Sequence, residues 1–175
     1  MRLDGDIYTI VEFQHVKPGK GGGFTRTKLK NMDNGRVVER TFRSGDKVEE
    51  VRIEKREMQY LYAEAPDQYH FMDSQTYEQT PISKAMIGDA TDFLLENEMA
   101  FVLVTDDKPI GVELPNFVQL TVVSTEPGVK GDTATNAVKP ATLETGAVVS
   151  VPLFVNQGDK LKIDTRTGQY VERVS

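Results

Sequence analysis

No cysteine occurs anywhere in the chain. Disulfides, thiolate metal sites and thiol nucleophiles are excluded together, and a reducing compartment fits. Histidine is almost as scarce. His15 and His70 stand far apart without obvious partner ligands, so no metal centre is expected. His70 reads as a packed or hydrogen-bonded strand residue, and His15 adjoins a glycine-rich loop it could assist. No serine and histidine share a triad-like context. The opening "MRLDGDIYTI" lacks the apolar core of a signal peptide, and no run approaches membrane-spanning length. A cytoplasmic protein with no membrane partner is expected. Helical periodicity is rare, and no segment is of low complexity apart from one cluster of glycines.

What is present reads as strand. Ile7 to Val16 is rich in β-branched and aromatic residues. Phe24 to Lys30 alternates threonine and apolar positions with basic ones, and Val37 to Phe42 reads as its return strand. Asp33-Asn34-Gly35 between them is a type I′ hairpin signal. Met58–Tyr62 and Tyr69–Met72 read as a second hairpin. Ile82–Ile87 and Ala90–Asn97 suggest short helical turns, the second capped by Asp89 or Thr91. Strand character returns at Met99–Val104, Ile110–Leu114 and Phe117–Val123. Ala147–Val155 contains Pro152, which favours an edge or a bulge, and two further strands end the chain. Short strands with turn signals every 8–12 residues or so are the pattern of small β-barrels.

Charge divides the chain where the strand pattern breaks. Residues 1–55 hold 12 basic and 9 acidic side chains, residues 56–116 hold 3 and 12, and residues 117–175 hold 6 of each. The net charge of −6 therefore hides a basic first third and a strongly acidic middle. With breaks near Lys55 and at Pro115-Asn116, three barrels are expected, over residues 1–54, 55–116 and 117–175. Between Lys17 and Lys30 lie five basic residues and no acid. Positive charge concentrated in this way lets an acidic protein bind nucleic acid, although a solvated hairpin face is the plainer reading.

The glycines fall in Lys17-Pro18-Gly19-Lys20-Gly21-Gly22-Gly23-Phe24. A phosphate-binding P-loop needs Ser or Thr after its lysine and then a helix; here Gly21 and a strand follow. The dinucleotide fingerprint also fails, because Phe24 stands where its last glycine belongs. The stretch is looser than a hairpin turn requires, so it suits an exposed tip that carries a lysine on a long stem toward a phosphate or a modifying group. Two carboxylate pairs, Asp89/Asp92 and Asp106/Asp107, fit capping and a turn better than hydrolytic chemistry. Residues 129–146 form an unusually long loop, a feature often functional and used by OB barrels to bind single strands.

These motifs carry a resemblance. "VEFQHVKPGKGGGFTRTKLKN" resembles the first part of the bacterial elongation factor P family. "KPATLETGAVVSVPLFVNQGDKLKIDTRTGQYVERV" resembles its last part, matching the family signature from Lys139 through Ala141, Gly146, Val149, Val151-Pro152 and Val155 to Gly158. "YLY", "HFMD", "YEQ" and "PNFVQLTVV" fit the middle and its exit. The resemblance implies an all-β chain of three barrels, one SH3/KOW-like and two OB-like, in an L that mimics transfer RNA. It implies a non-enzymatic, monomeric factor that binds ribosomal RNA and proteins beside the peptidyl-tRNA and relieves stalling at consecutive prolines. It implies no cofactor, but a tip lysine, Lys20, that touches the tRNA end and is open to covalent extension by a lysine-modifying enzyme. Lys17, Pro18, Gly19, Gly21, Gly22 and Gly23 would shape that tip, and Arg26, Lys28 and Lys30 would face RNA. Gly131, Asp132, Thr133, Ala134 and Lys139 match a loop near the codon. The loop reads Gly21-Gly22-Gly23 where relatives often carry bulkier residues. A general OB-fold single-strand binder is the rival reading.

Overall fold

The computed structural model describes residues 1–128 and 136–174. The described chain is nearly all β, in three antiparallel sheets drawn from successive stretches of sequence. Strands β1 (Arg2–Leu3), β2 (Asp6–Val16), β3 (Phe24–Asn31) and β4 (Val37–Arg43) form the first, in the order β1-β2-β3-β4. Strands β5 (Glu54–Glu64), β6 (Gln68–Asp73), β7 (Gln79–Ser83), β8 (Met99–Thr105) and β9 (Lys108–Glu113) form the second, ordered β7-β6-β5-β8-β9. Strands β10 (Phe117–Thr125), β11 (Val138–Leu143), β12 (Val148–Pro152), β13 (Lys160–Asp164) and β14 (Gln169–Val174) form the third, ordered β12-β11-β10-β13-β14.

The second and third sheets repeat one topology. In each, the first strand in sequence lies at the centre, and a bulge interrupts its pairing with the second strand, between Tyr60 and Tyr62 or between Val122 and Ser124. A bulge adds local bend and twist, which curls each sheet over its own core. Phe71, Ile82 and Val102 are fully enclosed in one core, and Leu120, Leu143, Val151, Leu161 and Ile163 in the other. In the third sheet β12 touches β14 across the gap. In the second, the short helix α1 (Lys84–Ile87) packs on both edge strands, β7 and β9, and bridges the opening. Pro81, Pro109 and Pro152 all fall on edge strands, where a missing N–H costs no ladder bond.

The first sheet has a thinner interior. Leu29 is fully buried at its centre, flanked by two buried polar residues, Thr27 and Asn31. Both are satisfied: the Thr27 hydroxyl donates to the Arg40 carbonyl (2.8 Å), and the Asn31 amide donates to Asp6 (3.1 Å).

Three local expectations change. Ile82 and Ser83 belong to β7, because Ile82 pairs with Tyr69 and is buried; the helix begins only at Lys84. Its cap is the Ser83 hydroxyl, which accepts from the Met86 N–H (3.3 Å). The 3-10 helix that follows, Gly88–Phe93, has no side-chain cap, so neither Asp89 nor Thr91 serves as one. The turn at Asp33-Asn34-Gly35 is not type I′, since only Gly35 has positive φ (72°). The type I′ geometry occurs instead at Asp106-Asp107, with φ of 49° and 59° between the paired Thr105 and Lys108.

Side chains join the sheets. The guanidinium of Arg2 pairs with Glu49 (3.2 Å) and with Asp106 at the β8–β9 turn (2.7 Å). Phe93, from the 3-10 helix, packs on the third core, and the Thr165 hydroxyl donates to the Pro115 carbonyl (2.6 Å).

Candidate nucleic-acid interface

Register places the tip. β2 and β3 pair up to Val16 opposite Phe24, so Lys17–Gly23 is the loop that closes the hairpin. Lys17, Pro18, Gly19 and Lys20 are all exposed, and Lys20 makes no hydrogen bond or ion pair with any described residue. Its ammonium is free to meet an external partner. The glycines are not equivalent. Gly21 has φ of 142°, a conformation L side chains rarely adopt, so the chain reverses there only with glycine. A Cβ on Gly23 would stand 3.5 Å from the His15 ring and 3.4 Å from the Val16 carbonyl. The His15 Nδ1 lies 3.1 Å from the Thr25 hydroxyl. The loop is thus seated on His15 at its return end, while Lys20 projects at its apex.

The basic residues of β3 share one face, as alternation dictates, but their surroundings differ. Arg26 is exposed between Gln14 and Thr41 and has no ion pair among the described residues. Lys28 lies between Glu12 and Glu39; its ammonium is 2.6 Å from the Glu12 carboxylate. The hydrogen bond and charge of Glu12, aided by Glu39, hold the lysine above its ordinary pKa. The Lys30 ammonium reaches toward the helical segment of the second sheet, 3.9 Å from where a Cβ on Gly88 would stand. Of the three, Arg26 presents the least compensated charge.

Sequence reasoning missed Arg43. Pairing sets it opposite Phe24, on the same face as Arg26. It is exposed, and its side chain makes no ion pair among the described residues.

Gly131, Asp132, Thr133 and Ala134 lie outside the described residues. Lys139 belongs to β11, only 7% exposed, and its ammonium donates to the Glu126 carbonyl (2.5 Å). It ties β11 to the end of β10 and is not offered to solvent.

The other chemistry-bearing groups are engaged elsewhere. Asp106 and Asp107 pair with Arg2 and Arg56. The His70 ring stacks on Tyr62, with ring centroids 4.6 Å apart, and its Nε2 lies 2.9 Å from Glu64. Among the described residues, no group of three or more His, Asp or Glu side chains could hold a metal ion. No helix there is long and apolar enough to cross a membrane.

Comparison with known proteins identifies the family. Three family models match in succession: the elongation factor P KOW-like domain over residues 1–48, the elongation factor P OB domain over 53–112, and the elongation factor P C-terminal domain over 118–173. The chain is 59% identical over 174 residues to elongation factor P of Pelotomaculum thermopropionicum, covering 99% of this chain and 94% of that one. It is 57% identical over 173 residues to elongation factor P of Moorella thermoacetica, covering 99% and 93%. A solved structure, eukaryotic translation initiation factor 5A from Methanococcus jannaschii, aligns at a TM-score of 0.49 and 26% identity over 65% of this chain and 80% of that one. Three successive family matches, and relatives that are more than half identical from end to end, give one conclusion: the chain belongs to the elongation factor P family.

Proposed function

We propose that the protein binds the ribosome beside the peptidyl-tRNA and promotes peptide bond formation where consecutive prolines stall it. The observation that carries this reading is the exposed Lys20, without an ion pair among the described residues, at the apex of a hairpin in a chain of this family. Its contribution is positional. A cation held out on a long stem steadies a strained tRNA end in reactive geometry, and orientation of that kind lowers a barrier without an acid or base from the factor. A modifying enzyme that extends the Lys20 amine would lengthen the reach. The working units are residues 1–54, 55–116 and 117–175, acting in one monomer. The first, with an excess of basic side chains, faces RNA; the second, with 3 basic and 12 acidic side chains over 56–116, faces basic ribosomal protein or solvent. Residues 131–134 serve the codon side, with Lys139 tying β11 to Glu126 at the end of β10.

Binding to ribosomes should exceed binding to free single-stranded oligonucleotides by orders of magnitude in a filter assay. Equal or tighter binding to oligonucleotides would replace this reading with a general single-strand binder.

A further inference from the structure

We infer that Arg26 and Arg43 grip the phosphate backbone of an RNA strand, and that Lys28 takes no part. The inference rests on the ribosomal reading above and narrows it to particular side chains. Across the outer face of the first sheet the cross-strand rows run Val16–Phe24–Arg43, Gln14–Arg26–Thr41 and Glu12–Lys28–Glu39. Charge therefore changes along the strands. The Glu12–Lys28–Glu39 row carries two carboxylates for one lysine, and only beyond it does Thr9–Lys30–Val37 carry a lysine without one. The two rows nearest the tip carry two arginines and no carboxylate. A phosphodiester laid on this face meets attraction at the two tip rows and repulsion at the row of Glu12 and Glu39.

A cleft of about 450 Å³ lies at the tip end on the opposite face, where the row His15–Thr25–Phe42 runs; Lys17, Arg43 and Ser44 also line it, and it has no carboxylate in its wall. The nearest acid in the chain's path is Asp46. Its carboxylate accepts the backbone N–H of Arg43 (2.7 Å), and the Arg43 guanidinium makes no ion pair among the described residues. Arg26 and Arg43 are diagonal neighbours, with Cα atoms about 7–8 Å apart in such a sheet, so two long side chains can take separate phosphates of one strand. The guanidinium fork suits phosphate oxygens in bidentate geometry. Charge complementarity alone would also admit an acidic protein segment. The planar forks and the aromatic Phe24 on the same face favour RNA.

The test titrates the full chain with an RNA hairpin that ends in an unpaired 3′ strand, over a range of salt, and separately with ribosomes. Arg26→Gln and Arg43→Gln should each lower the slope of log affinity against log salt by about 0.7–0.9, while Lys28→Gln leaves it unchanged. Arg43→Lys should keep most of the slope, and unchanged melting temperatures should show that the variants fold. A Lys28→Gln loss equal to that of Arg26→Gln would overturn the inference. So would an Arg43→Gln slope equal to wild type, no binding of the RNA hairpin, or equal affinity for polyglutamate. Ribosome binding by the wild type with neutral arginine variants would sink the inference and leave the functional reading standing. The expected slopes on RNA without ribosome binding would do the reverse.

Discussion

Lys139 shows how position decides what a charge is for. A lysine in a family signature invites a role in binding, yet here burial removes it from solvent and a carbonyl occupies it. Replacing it with methionine keeps the aliphatic stem and strands the Glu126 carbonyl. We expect Lys139→Met to cost about 1–3 kcal/mol, read as a lower denaturant midpoint at unchanged m-value. Wild-type stability would mean that the bond contributes nothing. Gly128 supports the same loop base: a Cβ there would stand 2.8 Å from the Leu153 carbonyl oxygen, so the backbones touch only with glycine. Asp73 is a second case. Its carboxylate accepts the N–H groups of Gln75 (2.7 Å) and Thr76 (3.1 Å), which hold its pKa below the ordinary value. A lowered folded-state pKa gives stability that is full above the unfolded value and lost as pH falls through the folded one. Asp73→Ala should therefore lower the melting temperature at neutral pH and have little effect well below the carboxylate range. An equal loss at both would assign the effect to packing.

At the scale of elements, turns separate what the sequence discloses from what it hides. Strand positions were legible because β-branched and aromatic residues alternate between turn residues, and the tip loop because no short turn needs so many glycines. Turn types were less legible. Asp33-Asn34-Gly35 has the composition of a type I′ turn, but Asn31 preempts it. The Asn31 side-chain oxygen accepts the N–H groups of Asp33 (2.8 Å) and Asn34 (3.2 Å), and its backbone N–H donates to the Arg36 carbonyl (2.8 Å). This closes a wider loop in which only Gly35 needs positive φ. Asp106-Asp107 adopts the tight form because Thr105 pairs with Lys108 and leaves a two-residue loop, and Arg2 and Arg56, remote in sequence, pair with the two carboxylates. Asn31→Ala should thus cost about 1–3 kcal/mol, and more than Asn34→Ala, whose side chain receives a single exposed N–H from Arg36. The reverse order in chemical denaturation would return the turn to its central residues.

The whole molecule combines a hidden repeat with a visible division of charge. The second and third sheets share a strand order and a bulge, but no residue pattern announced it. Topology constrains where the chain bends and pairs, and many apolar residues satisfy each position. The charge division was plain in the sequence, since counting needs no fold. Its finer structure was not: opposing strands supply Glu12 and Glu39 to Lys28 and nothing acidic to Arg26, which only register reveals. The site was therefore half legible. The tip and its lysine could be read directly, whereas Arg43, the inward Lys139 and the seating of the loop on His15 needed three dimensions. All these features serve one claim, that Lys20 is carried to a tRNA end on the ribosome. The most direct measurement is the rate of peptide bond formation at consecutive prolines in a reconstituted ribosome system, with wild-type protein and with Lys20→Ala of the same melting temperature. The account predicts acceleration by the wild type and a rate with Lys20→Ala no faster than with no factor. Full acceleration by Lys20→Ala would contradict it.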